Sequence, residues 1–314
     1  PAFIDIGQTF DSGEKESLKA FHTSGFLGSE YAPFFLVEPD QAVEAVKPPE
    51  GMSDARFAKR YKEYKKLLAN SPIQQHGSEY QKESLLKSID NAHRLLSSPK
   101  ARKAFDLSLE SKESYETYKV GGRFGLGCLL AKRLTEAGAR FIEVTHGYYP
   151  FKYWDTHDNG HTKMRELKAM IDAPIAQLVL DLEKSNLLDR TLIVVASEFS
   201  RDMMMEGKPE KRVKDQVNVP TRIDGLQHYG MHRHFTGAGS VLLFGGGIKK
   251  GFVYGETADE RPCTTIKDPI NTQQLHSTIY RALGIPHDHH YNVEQRPFYV
   301  TPDGVTEPVM DLFG

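Results

Sequence analysis

Thr191-Leu192-Ile193-Val194-Val195-Ala196-Ser197 leads directly into Glu198-Phe199-Ser200-Arg201. The first seven residues are nearly all apolar. Such a run predicts a parallel strand covered on both faces. A carboxylate and a guanidinium then arrive at its carboxyl end, where open α/β sheets bind their ligands. Glu198 is costly to bury there unless it is paired or holds a metal. The plainer reading is an ion pair with Arg201 or Arg233. If Arg201 is free, its fork of donors matches the oxygens of phosphate or sulfate.

On both sides of this stretch, strand and helix patterns alternate. Arg140–His146 reads as a strand. Residues 162–185 read as a helix with Leu167, Met170, Ile171, Leu178 and Leu182 inward. Ser240–Phe244 reads as a second buried strand, ended by Gly245-Gly246-Gly247. Residues 271–283 read as a helix that Asn271 or Thr272 can cap. The alternation is that of an α/β fold, with its core over residues 121–314. Residues 1–120 read as an irregular and helical wrapping segment of one continuous domain. Within it, residues 1–50 look irregular. Helices are expected at 53–70, at 78–97, from Pro99 to about Phe105 and at 111–118. Another at 123–137 stops at Gly138. The tail beyond Pro286 reads as irregular.

Composition narrows the classes. The 314 residues carry 40 basic and 42 acidic side chains, a formal charge of −2. That balance gives no reason to expect nucleic acid or an acidic membrane as partner. No apolar run approaches the roughly 20 residues that span a bilayer. Cys128 and Cys263 are too few for a disulfide framework or a cysteine-rich zinc site. The chain opens at Pro1 with no signal-peptide features. The expectation is a processed chain or part of a longer protein, with the nucleophile in the part not present.

Chemistry concentrates in two loops. The first runs Tyr153-Trp154-Asp155-Thr156-His157-Asp158-Asn159-Gly160-His161, with His146 just upstream; the second runs His228-Tyr229-Gly230-Met231-His232-Arg233-His234. Imidazoles and carboxylates at such separations suit zinc or manganese. Asp155 and His157 point the same way in extended chain. The alternative is a capped, solvated loop with Asp158 or Asn159 at the helix start. His161 either joins the pair or begins the helix. His232 and His234 share a face if the second loop is extended, and His228 and His232 share one if it is helical. His234, nearest the following strand, is the expected ligand. His93 lies on the apolar face of the 78–97 helix as a core or boundary residue, and His287, His289 and His290 read as a surface cluster. Gly245–Gly247 lacks the Lys-Ser/Thr of a phosphate loop and reads as a tight turn.

Several stretches in order carry a resemblance: Phe105–Glu110, Leu129–Gly138, Trp154–Asn159, Ser197–Arg201 and Leu242–Ile248. Together they resemble the sulfatase-like family catalogued as domain of unknown function 1501, which is similar to the alkaline phosphatase/sulfatase superfamily. The resemblance implies an alkaline-phosphatase-like, mostly parallel sheet flanked by helices, here lacking its N-terminal strand region. It implies a divalent metal ion (zinc, manganese or calcium) held by Asp155, His157, Glu198 and His234. Arg201 would stabilise charge, and His228 or His232 would protonate the leaving oxygen. The implied activity is metal-dependent hydrolysis of sulfate or phosphate esters, on a small anionic substrate. The implied location is exported, periplasmic or extracellular. An N-terminal fragment or a second copy would complete the site. Phe199 stands where a two-metal phosphatase has a histidine, and His232-Arg233-His234 replaces the family's usual Arg-Asp-His. These departures keep a second expectation open: an exported, non-catalytic structural or binding protein that retains the fold.

Overall fold

The structure, a computed structural model, describes residues 1–7, 23–146, 153–155, 160–197, 199–201, 234–259, 264–293 and 295–314. Two units divide the chain: Pro1–Asp155 with Lys163–Leu178, and Thr156–Thr162 with Val179–Gly314.

In the first unit, Ile4-Asp5-Ile6 forms β1 (Ile4–Ile6), the central strand of a three-stranded parallel sheet. Its neighbours are β2 (Phe34–Leu36) and β3 (Ile142–Val144). Ile4 lies opposite Phe34 and Ile142, and Ile6 opposite Leu36 and Val144. Ile4, Asp5 and Ile6 are all buried. The opening 50 residues are therefore not simply irregular: they supply two strands of the sheet. Strands of three residues are too short to show a period of two, and the partners of β1 lie far along the chain.

Local signals set the helices where expected. Ser53 caps α1 (Asp54–Ala69), its hydroxyl accepting from the Arg56 N–H at 3.2 Å. A short α2 (Pro72–His76) follows. Ser78 and Gln81 form a reciprocal capping box at the start of α3 (Glu79–Ser97). Pro99 occupies the first turn of α4 (Pro99–Phe105), where a missing N–H costs nothing. Ser111 caps α5 (Lys112–Lys119). Next comes α6 (Gly122–Glu136), which ends before Gly138 at φ 93°.

The core of this unit is the buried stripe of α6: Leu126, Leu129, Leu130 and Leu134. Each such leucine stabilises by about 1.5–3 kcal/mol when fully buried. The helix lies directly on the sheet because position 127 is glycine. A Cβ on Gly127 would stand 2.8 Å from Val144 Cγ1 and 3.3 Å from Ile6 Cγ2. Gly125 is tighter still, its missing Cβ falling 1.8 Å from the Tyr118 carbonyl oxygen of α5. Further along α6, Glu110 accepts from Arg133 at 2.5 Å and Lys132 at 3.2 Å. Burial works to raise the Glu110 carboxyl, but the Arg133 and Lys132 hydrogen bonds outweigh it and hold the group below its ordinary value. The long α7 (Gly160–Lys184) carries Pro174 in its interior. A Cβ on Gly121 would meet that ring at 2.4 Å.

In the second unit the expected parallel strand is corrected. The apolar run yields β4 (Ile193–Val195), which pairs antiparallel with β7 (Leu242–Phe244). All three residues of β4 are half-buried, and Leu242 is 55% exposed. An apolar run reports hydrophobicity and not strand direction, and a two-stranded ladder leaves much of its surface uncovered. β5 (Ser200–Arg201) pairs with β6 (His234–Phe235), and β8 (Glu256–Thr257) with β9 (Thr265–Lys267). Asn271, one of the two expected caps, opens α8 (Thr272–Ala282) in a capping box with Gln274. The tail is not irregular: β10 (His290–Val293) and β11 (Arg296–Tyr299) form an antiparallel hairpin. Gly245, Gly246 and Gly247 all have positive φ, and a Cβ on Gly245 would meet the Leu188 and Thr191 carbonyl oxygens at 2.3 and 2.4 Å. That is a tight packed turn, as the sequence suggests. Among the described residues, the parallel sheet is β2–β1–β3 alone, and the other sheets are two-stranded and antiparallel. No helix among those residues is long and apolar enough to cross a membrane.

Candidate functional site

The carboxyl edge of the parallel sheet gathers polar groups. Pairing continues one residue past β3, where the Thr145 N–H donates to the Ile6 carbonyl at 2.9 Å. The Thr145 hydroxyl is buried and makes no hydrogen bond among the described residues. His146 follows. Its Nδ1 accepts from the Trp154 indole N–H at 2.7 Å. In neutral imidazole the proton must then sit on Nε2, which leaves that nitrogen a donor. Phe124, near the start of α6, meets the imidazole edge to face, with centroids 5.3 Å apart. Burial lowers the His146 pKa from its ordinary value, and the Arg123 charge lowers it further. Arg123 itself donates to Glu38 at 3.1 Å. The residue before Trp154, Tyr153, has φ 52°, a conformation uncommon outside glycine.

Asp155 follows Trp154 and is half-buried in the first unit. Arg201 and His234 are direct partners in the β5–β6 ladder of the second unit. A ladder holds such partners about 4.5–5.5 Å apart at Cα. The structure thus brings together Arg201 and His234, which 32 intervening residues separate in the chain. His157, Glu198, His228 and His232 lie outside the described residues, as do Arg233 and Cys263. His161 falls in the first turn of α7. Among the described residues, no three His, Cys, Asp or Glu side chains are grouped to hold a metal ion.

The other singled-out groups have structural roles. His93 stacks on Tyr61 and Phe57, with centroids 3.8 and 5.3 Å away. His289 and His290 are exposed and contact Tyr291 and Tyr299 in the tail hairpin. Burial in α6 pushes the Cys128 thiol up to about 12, so it is neither a ready nucleophile nor a ready ligand. The His146–Trp154 bond was not anticipated from the sequence. Eight residues separate the two, and no spacing rule joins them. The one available signal was a histidine closing a strand just upstream of the first histidine-rich loop. Asp5, a carboxylate buried between two buried isoleucines, is costly to bury unless it has partners.

Helices laid on a short parallel sheet, with a tautomer-fixed histidine at its carboxyl edge, define a mixed α/β protein with a polar edge site. The chain belongs to the family described as protein of unknown function, DUF1501, whose model matches residues 1–312. No curated protein and no solved structure matches it.

Proposed function

We propose that the protein is a metal-dependent hydrolase of sulfate or phosphate esters with a sulfatase-like fold, exported from the cell. One observation carries the reading: the Trp154 N–H fixes His146 at the carboxyl edge of the parallel sheet, and Asp155 is the next residue in the chain. The first expected ligand thus adjoins a residue already anchored to the edge where such sheets bind their substrates.

Asp155, His157, Glu198 and His234 are the residues that would hold the metal. Two carboxylates and two imidazoles with no thiolate suit a borderline divalent cation. Such a cation supplies Lewis acidity at the ester oxygen. Arg201 binds the remaining anionic oxygens and opposes the charge that develops on them. His228 or His232 delivers a proton to the leaving oxygen. His146 donates from Nε2 to an oxygen at the sheet edge and stays uncharged near neutral pH. A binding protein without catalysis is the second reading, and Phe199, just before β5 where a two-metal phosphatase would have a histidine, favours it.

The test reconstitutes the purified chain with zinc, manganese or calcium, and measures retained metal and hydrolysis of p-nitrophenyl sulfate and phosphate. Asp155→Ala and Glu198→Ala should each lower metal affinity or turnover by roughly 100-fold or more. Activity that survives both substitutions rejects this site. Metal retained without turnover on either ester supports the binding protein instead.

A further inference from the structure

Helix α1 is sixteen residues long, yet only Leu68 in it is buried. A helix of that length is marginal in water without a covered apolar face. Its apolar residues do form a stripe: Phe57, Tyr61 and Tyr64 recur at helical spacing. Facing them on α3 are Ile89, His93 and Leu96 at the same spacing. The His93 stack on Tyr61, and the bond from Tyr61 Oη to Asp90 at 2.5 Å, hold the two stripes side by side. Between them lies a cleft of about 730 Å³. Tyr64 is 49% exposed and Leu67, at one end, 71%. The span from Phe57 to Leu67 is about 15 Å, close to three helical turns.

The rim is predominantly basic, with Glu63 as the one acidic residue among those lining the cleft. Helix α1 has six Lys or Arg residues against Asp54 and Glu63. Lys65 is engaged by Asp90 and Lys66 by Glu63. Arg56, Lys59 and Arg60 line the cleft and are exposed. This cationic face belongs to a chain whose overall charge is −2.

We infer that the α1–α3 cleft is a docking groove for an acidic amphipathic helix of a partner protein. The partner's apolar face would complete a three-helix packing over Tyr61, Tyr64 and Leu67. Its flanking carboxylates would meet Arg56, Lys59 and Arg60, steering the encounter and setting orientation. A second copy of this chain is the weaker occupant, because α1 against α1 sets like charges face to face. A lipid surface is also weaker, because the apolar groups line a concavity between helices and do not form a protruding row.

The test uses the full chain and a fluorescein-labelled designed helix of about 14 residues, with leucines on one face and glutamates on the flanks. Its twin carries lysine for every glutamate. Anisotropy should show the acidic peptide binding about tenfold or more tighter, with the preference weakening as salt rises from about 0.05 to 0.5 M. The double variant K59E/R60E should reverse the preference. Tyr64→Ser should weaken both peptides. Circular dichroism confirms the fold of each variant, whose changed side chains are exposed. Equal affinity for the two peptides overturns the inference. So does a dimer in sedimentation that Tyr64→Ser dissociates, or tighter binding to phosphatidylglycerol vesicles than to the acidic peptide.

Discussion

The bond from the Trp154 indole to His146 Nδ1 ties an optical probe to a titrating group, since Trp154 is the chain's one tryptophan. Acid protonates Nδ1 and removes the acceptor. Burial and then Arg123 hold the imidazole below its ordinary 6.5, so the indole emission should change with a midpoint below that value. His146→Phe should abolish the transition, and a midpoint at or above the ordinary value contradicts the arrangement. The same shift has a stability consequence. A histidine whose folded pKa is depressed contributes stability that is fully present above its unfolded value. That contribution is lost as pH falls from there through the folded value. Urea midpoints of wild type and His146→Phe should therefore converge on acidification through this window.

The capped helices of both units were legible because their signals are local. Ser53, Ser78 and Asn271 each sit one residue before a helix and accept from its first turn, which is what the sequence rules look for. Strands of three residues carry no such mark. Nothing in Ile4-Asp5-Ile6 indicates Phe34 or Ile142 as neighbours, and nothing in the 191–197 run indicates an antiparallel partner. Glycines hold information that pattern reading misses, because their role is the absence of an atom. Gly125 is the clearest case, since a Cβ there would overlap the Tyr118 carbonyl of α5. Gly125→Ala should force α5 and α6 apart and cost about 3 kcal/mol, at the upper end of ordinary overpacking. A denaturant midpoint unchanged from wild type would show that the two helices can separate freely.

Across the whole chain, the family was readable, whereas the meeting in space of residues far apart in sequence was not. Arg201 and His234 come together through a two-residue ladder that no periodicity foretells. If Asp155, Glu198 and His234 grip a cation, the folded state must gain stability from it. At a free metal concentration 100-fold above the dissociation constant, that gain is about 2.7 kcal/mol. Zinc or manganese should raise the thermal midpoint, a chelator should return it, and Asp155→Ala should make it insensitive to metal. A wild-type midpoint indifferent to metal and chelator would argue for the non-catalytic reading. Ile4 in the central strand pairs on one side with Ile142. A ribosome adding about 5–20 residues per second needs roughly 7–30 s to deliver that partner. Until then one flank of a buried, isoleucine-rich strand stays open on the nascent chain, a target for chaperones and for mispairing with neighbouring polypeptides.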